Sequence, residues 1–288
     1  MRRFAPLIAL FWAAPAAAHG GHGDGIGWTF DASVTVPLLL AAVVYAIGIG
    51  RLLARVGRGR GALVRGACLY AAGWLILSGA LVSPLHEAGE RSFTFHMIEH
   101  ELLMLPAALL LVAARPGPAL LWGLPRSLRQ WFGSAARLPL WRRLCEPITA
   151  TAIQAVVIWA WHMPGPFDLA LDHEGWHIVQ HLCFVFGALL FWWSMLNRTP
   201  ETLGAVCLFA TSMIGGALGA LMALSASPWY SAYAAMGMTP FGLTPAEDQQ
   251  LAGLIMWIPG GLFHLCAALW FLGRWLTRKE GRDVVAAE

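Results

Sequence analysis

Apolar residues are grouped along this chain in long blocks. The blocks lie near Val34 to Leu53, Gly66 to Leu85, Phe95 to Ala114, Ile148 to Pro166, Trp176 to Leu196, Leu203 to Ser225 and Leu251 to Leu272. A helix needs about 20 such residues to cross the hydrocarbon core of a bilayer. The pattern predicts an all-α fold, a polytopic membrane helix bundle of about seven transmembrane helices. Pro164, Pro166, Pro200, Pro228 and Pro240 fall at or between block ends, where helix breakers belong.

The polar gaps between blocks carry unequal charge. One set of connections holds Arg51, Arg55, Arg58, Arg60 and Arg65, then Arg115 to Arg143, then Arg198, then the tail from Arg274 to Arg282; the alternate set holds only Arg91. Cationic loops stay on the cytoplasmic side, so the chain is expected with its N-terminus out and its C-terminus in. Trp28, Trp176, Trp192, Trp193, Trp229 and Trp275 lie near block ends, as an aromatic belt at the interfaces would. Gly215, Gly216 and Gly219 in the sixth block would let helices approach closely.

Composition agrees. Of 288 residues, 58% are hydrophobic and 12% charged, with a mean hydropathy of +0.62. Soluble domains carry roughly twice that charged share. The net charge of +3 reflects loop arginines and gives no reason to expect nucleic acid as a partner. The partner it does imply is the lipid bilayer. The five cysteines are widely spaced and form no CxxC pair, so they read as small apolar residues.

The N-terminus reads as a secretory signal: Met1-Arg2-Arg3, an apolar run from Phe4 to Trp12, then small residues up to Ala18. The expected organisation is a signal peptide over 1–18, a His/Gly-rich outer segment over 19–33, a transmembrane domain over 34–276 and an inner tail over 277–288. Cleavage after Ala18 would expose His19-Gly20-Gly21-His22, a mobile tail or a chelating one.

The ten histidines change the picture. His86 ends the second block, His96 and His100 open the third, His162 ends the fourth, and His177 and His181 open the fifth. His173 lies in a loop, His264 lies deep in the last block, and none falls in an arginine-rich connection. At 3.6 residues per turn, His96 and His100 share a helix face, as do His177 and His181. Two such pairs with His86 and His162 at one membrane level could converge on a transition metal, since imidazole suits copper and zinc. Met97, Met104 and Met163 could add thioethers, which favour Cu(I); Met104 is one turn beyond His100. Outer carboxylates, Glu99 and Asp248 among them, could orient the imidazoles. Thr244-Pro245-Ala246-Glu247 reads as a capping box, leaving Asp248 as the free acid there.

Three stretches resemble the seven-span CtaG family of cytochrome c oxidase assembly factors, associated with the caa3-type oxidase. They are His96-Met97-Ile98-Glu99-His100-Glu101-Leu102-Leu103-Met104; Trp159 to Pro164 running on to His177-Ile178-Val179-Gln180-His181 and Phe191-Trp192-Trp193; and Glu247 to Gly253 followed by Met256-Trp257-Ile258-Pro259-Gly260-Gly261. The resemblance spans Gly66 to Arg274. It implies a helper in oxidase maturation rather than an enzyme, with oxidase subunits as partners, at the bacterial inner membrane. On matching positions it carries over His96, His100, His162, His177, His181 and Asp248.

These readings give a metallochaperone with copper as cargo and zinc as the alternative ion, its site facing the periplasm. The expected ligands are His96, His100, His162, His177, His181, His86 and Met104, with Asp248 and Glu99 behind them. Two other functions remain open: a metal-free assembly scaffold, and a zinc peptidase suggested by the HxxEH pattern of His96 to His100. A haem carrier is disfavoured, because Arg91 alone could meet two propionates on that side.

Overall fold

The computed structural model describes residues 26–287, so the signal segment, His19 and His22 lie outside the described residues. Among those described every regular element is helical. In chain order they are α1 (Ala32–Leu53), α2 (Arg60–Val82), α3 (Pro84–Arg91), α4 (Phe93–Leu102), α5 (Ala108–Ala113), α6 (Gly117–Gly123), α7 (Arg126–Ala135) and α8 (Pro139–Leu144). They continue as α9 (Pro147–Trp161), α10 (Pro164–Asp172), α11 (Glu174–Arg198), α12 (Glu201–Ala223), α13 (Ser231–Met236), α14 (Pro245–Ile255) and α15 (Gly261–Ala287). A π-helical turn, Leu103–Ala107, joins α4 to α5, and a second, Met256–Gly260, joins α14 to α15. Each turn holds a proline, Pro106 or Pro259, whose missing N–H breaks the α ladder without ending the helix.

Among the described residues, six helical runs are long and apolar enough to span a bilayer: Ala32–Leu53, Arg60–Val82, Phe93–Ala113, Glu174–Arg198, Glu201–Ala223 and Pro245–Arg278. The fourth expected span is shorter than its apolar block. α9 has 15 residues, and the chain then turns at His162 and Met163 into α10. At 1.5 Å per residue α9 is about 22 Å long. Pro164 and Pro147 sit at first helical turns, where a missing N–H costs nothing.

Aliphatic and aromatic side chains that would be buried in a soluble protein, such as Val43, Val156, Phe186, Val206, Leu221 and Leu269, point outward. With six such spans this is a multi-pass membrane protein, its outward apolar surface solvated by lipid.

The main core lies among α4, α5 and α9 to α15, around Phe93, Phe167, Phe184, Phe191, Trp192 and Tyr230. A smaller core holds α1, α2 and α6 together, where the rings of Tyr45 and Tyr70 stack at 3.6 Å. The sixth block behaves as expected at one glycine: a Cβ on Gly219 would lie 2.7 Å from the Gly253 carbonyl oxygen, so α12 and α14 meet through bare backbone. Trp192 departs from the belt reading. It is 1% exposed and donates its indole N–H to the Met104 carbonyl at 3.0 Å, in the core rather than at an interface.

The short helices α3, α10 and α13 pack around the start of α4. Ser83 caps α3, its hydroxyl accepting from Leu85 N at 3.3 Å. Thr244 and Glu247 form the expected capping box of α14. These caps fix the end of the bundle at which the histidines gather.

Candidate metal centre

Each of the six histidines is delivered by helix geometry. His86 lies on α3, His96 and His100 one turn apart on α4, His162 at the end of α9, and His177 and His181 one turn apart on α11. The rings form one continuous cluster. Centroids lie 4.2 Å apart for His96 and His100, 4.4 Å for His177 and His181, 5.2 Å for His100 and His181, 5.4 Å for His96 and His177, 5.6 Å for His86 and His177 and 6.2 Å for His100 and His162. Phe167 and Phe184 close the cluster on the core side, each within 6.0 Å of two of its rings.

One nitrogen each of His96, His177 and His181 can be chosen so that all three lie within 4.8 Å of one another. Imidazoles about 2.0 Å from a shared metal ion sit about 3.4 Å apart, so small ring rotations would close the triad. Nitrogens of His96, His100, His162, His177 and His181 are buried with no hydrogen-bond partner in the protein, on both ring atoms in His100. A buried polar atom left unpaired costs about 1 to 3 kcal/mol, so a cluster of them is a standing cost that an ion could offset.

The partners of the other ring nitrogens set the tautomers. His162 Nδ1 lies 2.7 Å from the Ile158 carbonyl, which can only accept, so Nδ1 carries the proton and the lone pair is on the unpaired Nε2. His86 Nδ1 donates to Glu99 Oε1 at 2.9 Å. Burial alone would lower the His86 pKa; the Glu99 hydrogen bond and charge, with Glu90 and Asp31 further off, outweigh it and hold the imidazole above its ordinary value. Glu99 Oε1 is also 3.8 Å from His181 Nε2, and Oε2 is buried and unpartnered. Glu99 therefore stands against the rings.

Asp248 stands elsewhere. Its carboxylate accepts from Ser92 Oγ at 2.7 Å, Phe93 N at 2.6 Å and Thr94 N at 3.2 Å, and its carbonyl accepts from Thr94 Oγ1. It holds the start of α4, at a helix end where negative charge is favourable. Met104 is buried one turn below His100, with Sδ 3.8 Å from Gln154 Nε2. Met97 is in the apolar core and Met163 is exposed. His173 is exposed, and His264 is buried against Trp192, away from the cluster. The HxxEH reading would pair His96 with His100, whereas the tight triad joins His96 to two residues of α11.

The family model for the cytochrome c oxidase caa3 assembly factor (Caa3_CtaG) matches residues 43–278. The chain belongs to this family. No curated protein and no solved structure matches it. The matched region contains all six clustered histidines, so the cluster lies within the part that defines this Caa3_CtaG member.

Sequence reasoning passed over Gln180. Its side chain is fully buried beside His181, and both amide atoms lack a partner. The available signal was an amide one residue before a clustered histidine inside an apolar block. Tyr230 and Tyr233 were also missed; their hydroxyls donate to the carbonyls of His162 at 2.9 Å and Gly89 at 2.6 Å, bracing the turn after α9 and the end of α3.

Proposed function

We propose that this oxidase assembly factor holds copper in the cluster of His96, His177 and His181, with His86, His100 and His162 around it, and supplies the ion to cytochrome c oxidase. The observation that carries this reading is the convergence of five imidazoles with unpartnered buried nitrogens. Spare imidazoles beside a three-nitrogen site suit transfer: an incoming ligand can replace one histidine while a neighbour still holds the ion, so copper moves by stepwise exchange without being released. A neutral nitrogen shell favours copper or zinc over harder ions. Glu99 would orient His86 and bias the cluster toward binding a cation.

The arginine asymmetry supports a site facing the periplasm in the bacterial inner membrane, with the N-terminus out, the C-terminus in and α9 as a seventh crossing. Assembly through metal transfer needs no catalytic step. In cells lacking the protein, wild type should restore the copper content of the oxidase, and a His96→Ala, His177→Ala, His181→Ala variant present at equal level should not. Equal restoration by the triple variant would leave a metal-free scaffold as the function.

A further inference from the structure

A second polar site lies deeper in the bundle than the histidine cluster. Glu101 is about 12 Å along the third span from its first residue, by the rise of the helix. It lines a small cavity of about 20 Å³ with Met104, Gln154, Thr211, Ser212 and His264. That volume holds a single water or ion. Both π-helical turns line it, through Met104 on one and Gly260 on the other, and such turns often mark functional sites.

The lining offers acceptors and almost no donors. Thr211 Oγ1 donates to the Cys207 carbonyl at 2.9 Å and Ser212 Oγ to the Gly261 carbonyl at 3.0 Å, leaving only lone pairs. His264 Nδ1 lies 3.0 Å from the Gly260 carbonyl and must carry the proton, so Nε2 holds the lone pair. This is how metal-binding histidines are commonly oriented. Gln154 is 2% exposed with Oε1 unpartnered, and Glu101 Oε2 is buried and unpartnered. The space for the carboxylate depends on Gly260, whose Cβ, if added, would lie 2.7 Å from Glu101 Oε2.

We infer that this cavity is a second metal site and that it takes Cu(I). A single buried carboxyl group set among lone pairs inside a membrane has room for one positive charge in place of its own proton, which favours a monovalent cation over a divalent one. Thioether and imidazole donors select copper over sodium or potassium. Glu101 follows His100 directly and Met104 lies one turn beyond it, so the cavity adjoins the outer cluster. The inference extends the copper reading of the outer cluster without depending on which outer histidines bind.

The test is Cu(I) binding to the full chain, purified without a histidine tag, by competition with a chromophoric chelator, together with copper X-ray absorption. The His96→Ala, His177→Ala, His181→Ala variant is expected to keep part of the wild-type copper, with a sulfur neighbour in its spectrum. Adding Glu101→Gln should weaken that remaining copper roughly tenfold or more, and Met104→Leu should remove the sulfur signal. Gly260→Ala in the otherwise wild-type chain tests the same cavity if the multiple variants do not fold; it should lower the copper count and leave an all-nitrogen spectrum. Complete loss of copper in the triple histidine variant, or indifference of the residual copper to Glu101→Gln and Met104→Leu, overturns the inference and leaves water as the occupant. A triple variant with undiminished copper would sink the outer site instead.

Discussion

The carboxylate of Asp248 accepts the backbone N–H of Phe93 at 2.6 Å, across 155 positions of sequence. With Ser92 and Thr94 it makes the start of the last span the cap of the helix that carries His96 and His100. A carboxylate there satisfies backbone donors that the first turn cannot pair internally.

Asp248→Ala should therefore destabilise the protein by about 1 to 3 kcal/mol, the range for a lost cap that leaves buried donors unpaired. Asp248→Asn should cost less. Thermal unfolding in detergent measures both. Metal affinity should fall only as far as α4 loosens, and a variant as stable as wild type would refute the capping role.

Glu99→Gln removes the charge beside His86 and His181 and keeps the side chain's size. Outer partners of metal-binding histidines commonly contribute 10-fold to 100-fold in affinity, so copper affinity should drop within about that range. Competition titration reads it. An unchanged affinity would mean that Glu99 serves folding alone.

Tyr230 and Tyr233 give a pH dependence of known sign. Burial first and the charge of Asp168 second raise the Tyr230 pKa; burial first, then Asp248, Glu99 and Glu90, raise that of Tyr233. Unfolded phenols ionise near pH 10. The raised folded values mean that stability is full below about pH 10 and falls as pH rises beyond it. Melting followed from about pH 8 to pH 11 should show the fall, and Tyr233→Phe should flatten it. The same alkaline slope in that variant would contradict the assignment.

The helix period made the paired histidines legible: residues four apart share a face in any helix, and block boundaries set His86, His162 and both pairs at one level. It could not say which three would meet most closely. That choice depends on how α4 and α11 rotate against each other, and the structure joins His96, rather than the deeper His100, to His177 and His181. The early end of α9 was hidden because residues 163–167 carry no charge after the chain has turned at His162, so the apolar block runs past the helix. Trp192 could not be told from an interfacial tryptophan, since its partner, the Met104 carbonyl, lies 88 positions away in sequence on the π turn of another span. Asp248 read as a polar residue near a metal because its capping donors are far away in sequence. The deep cavity joins Glu101, Gln154 and His264 from three helices, a convergence that no local pattern carries.

Copper and zinc content and affinity of the purified, tag-free protein, compared between wild type and a His177→Ala, His181→Ala variant, probe the metal centre most directly. The predicted result is tight copper binding in wild type and loss of the histidine-bound share in the variant, with His173→Ala, an exposed loop change, behaving as wild type. Absence of copper from wild type, or an identical content and affinity in the double variant, would contradict a metal centre in this cluster.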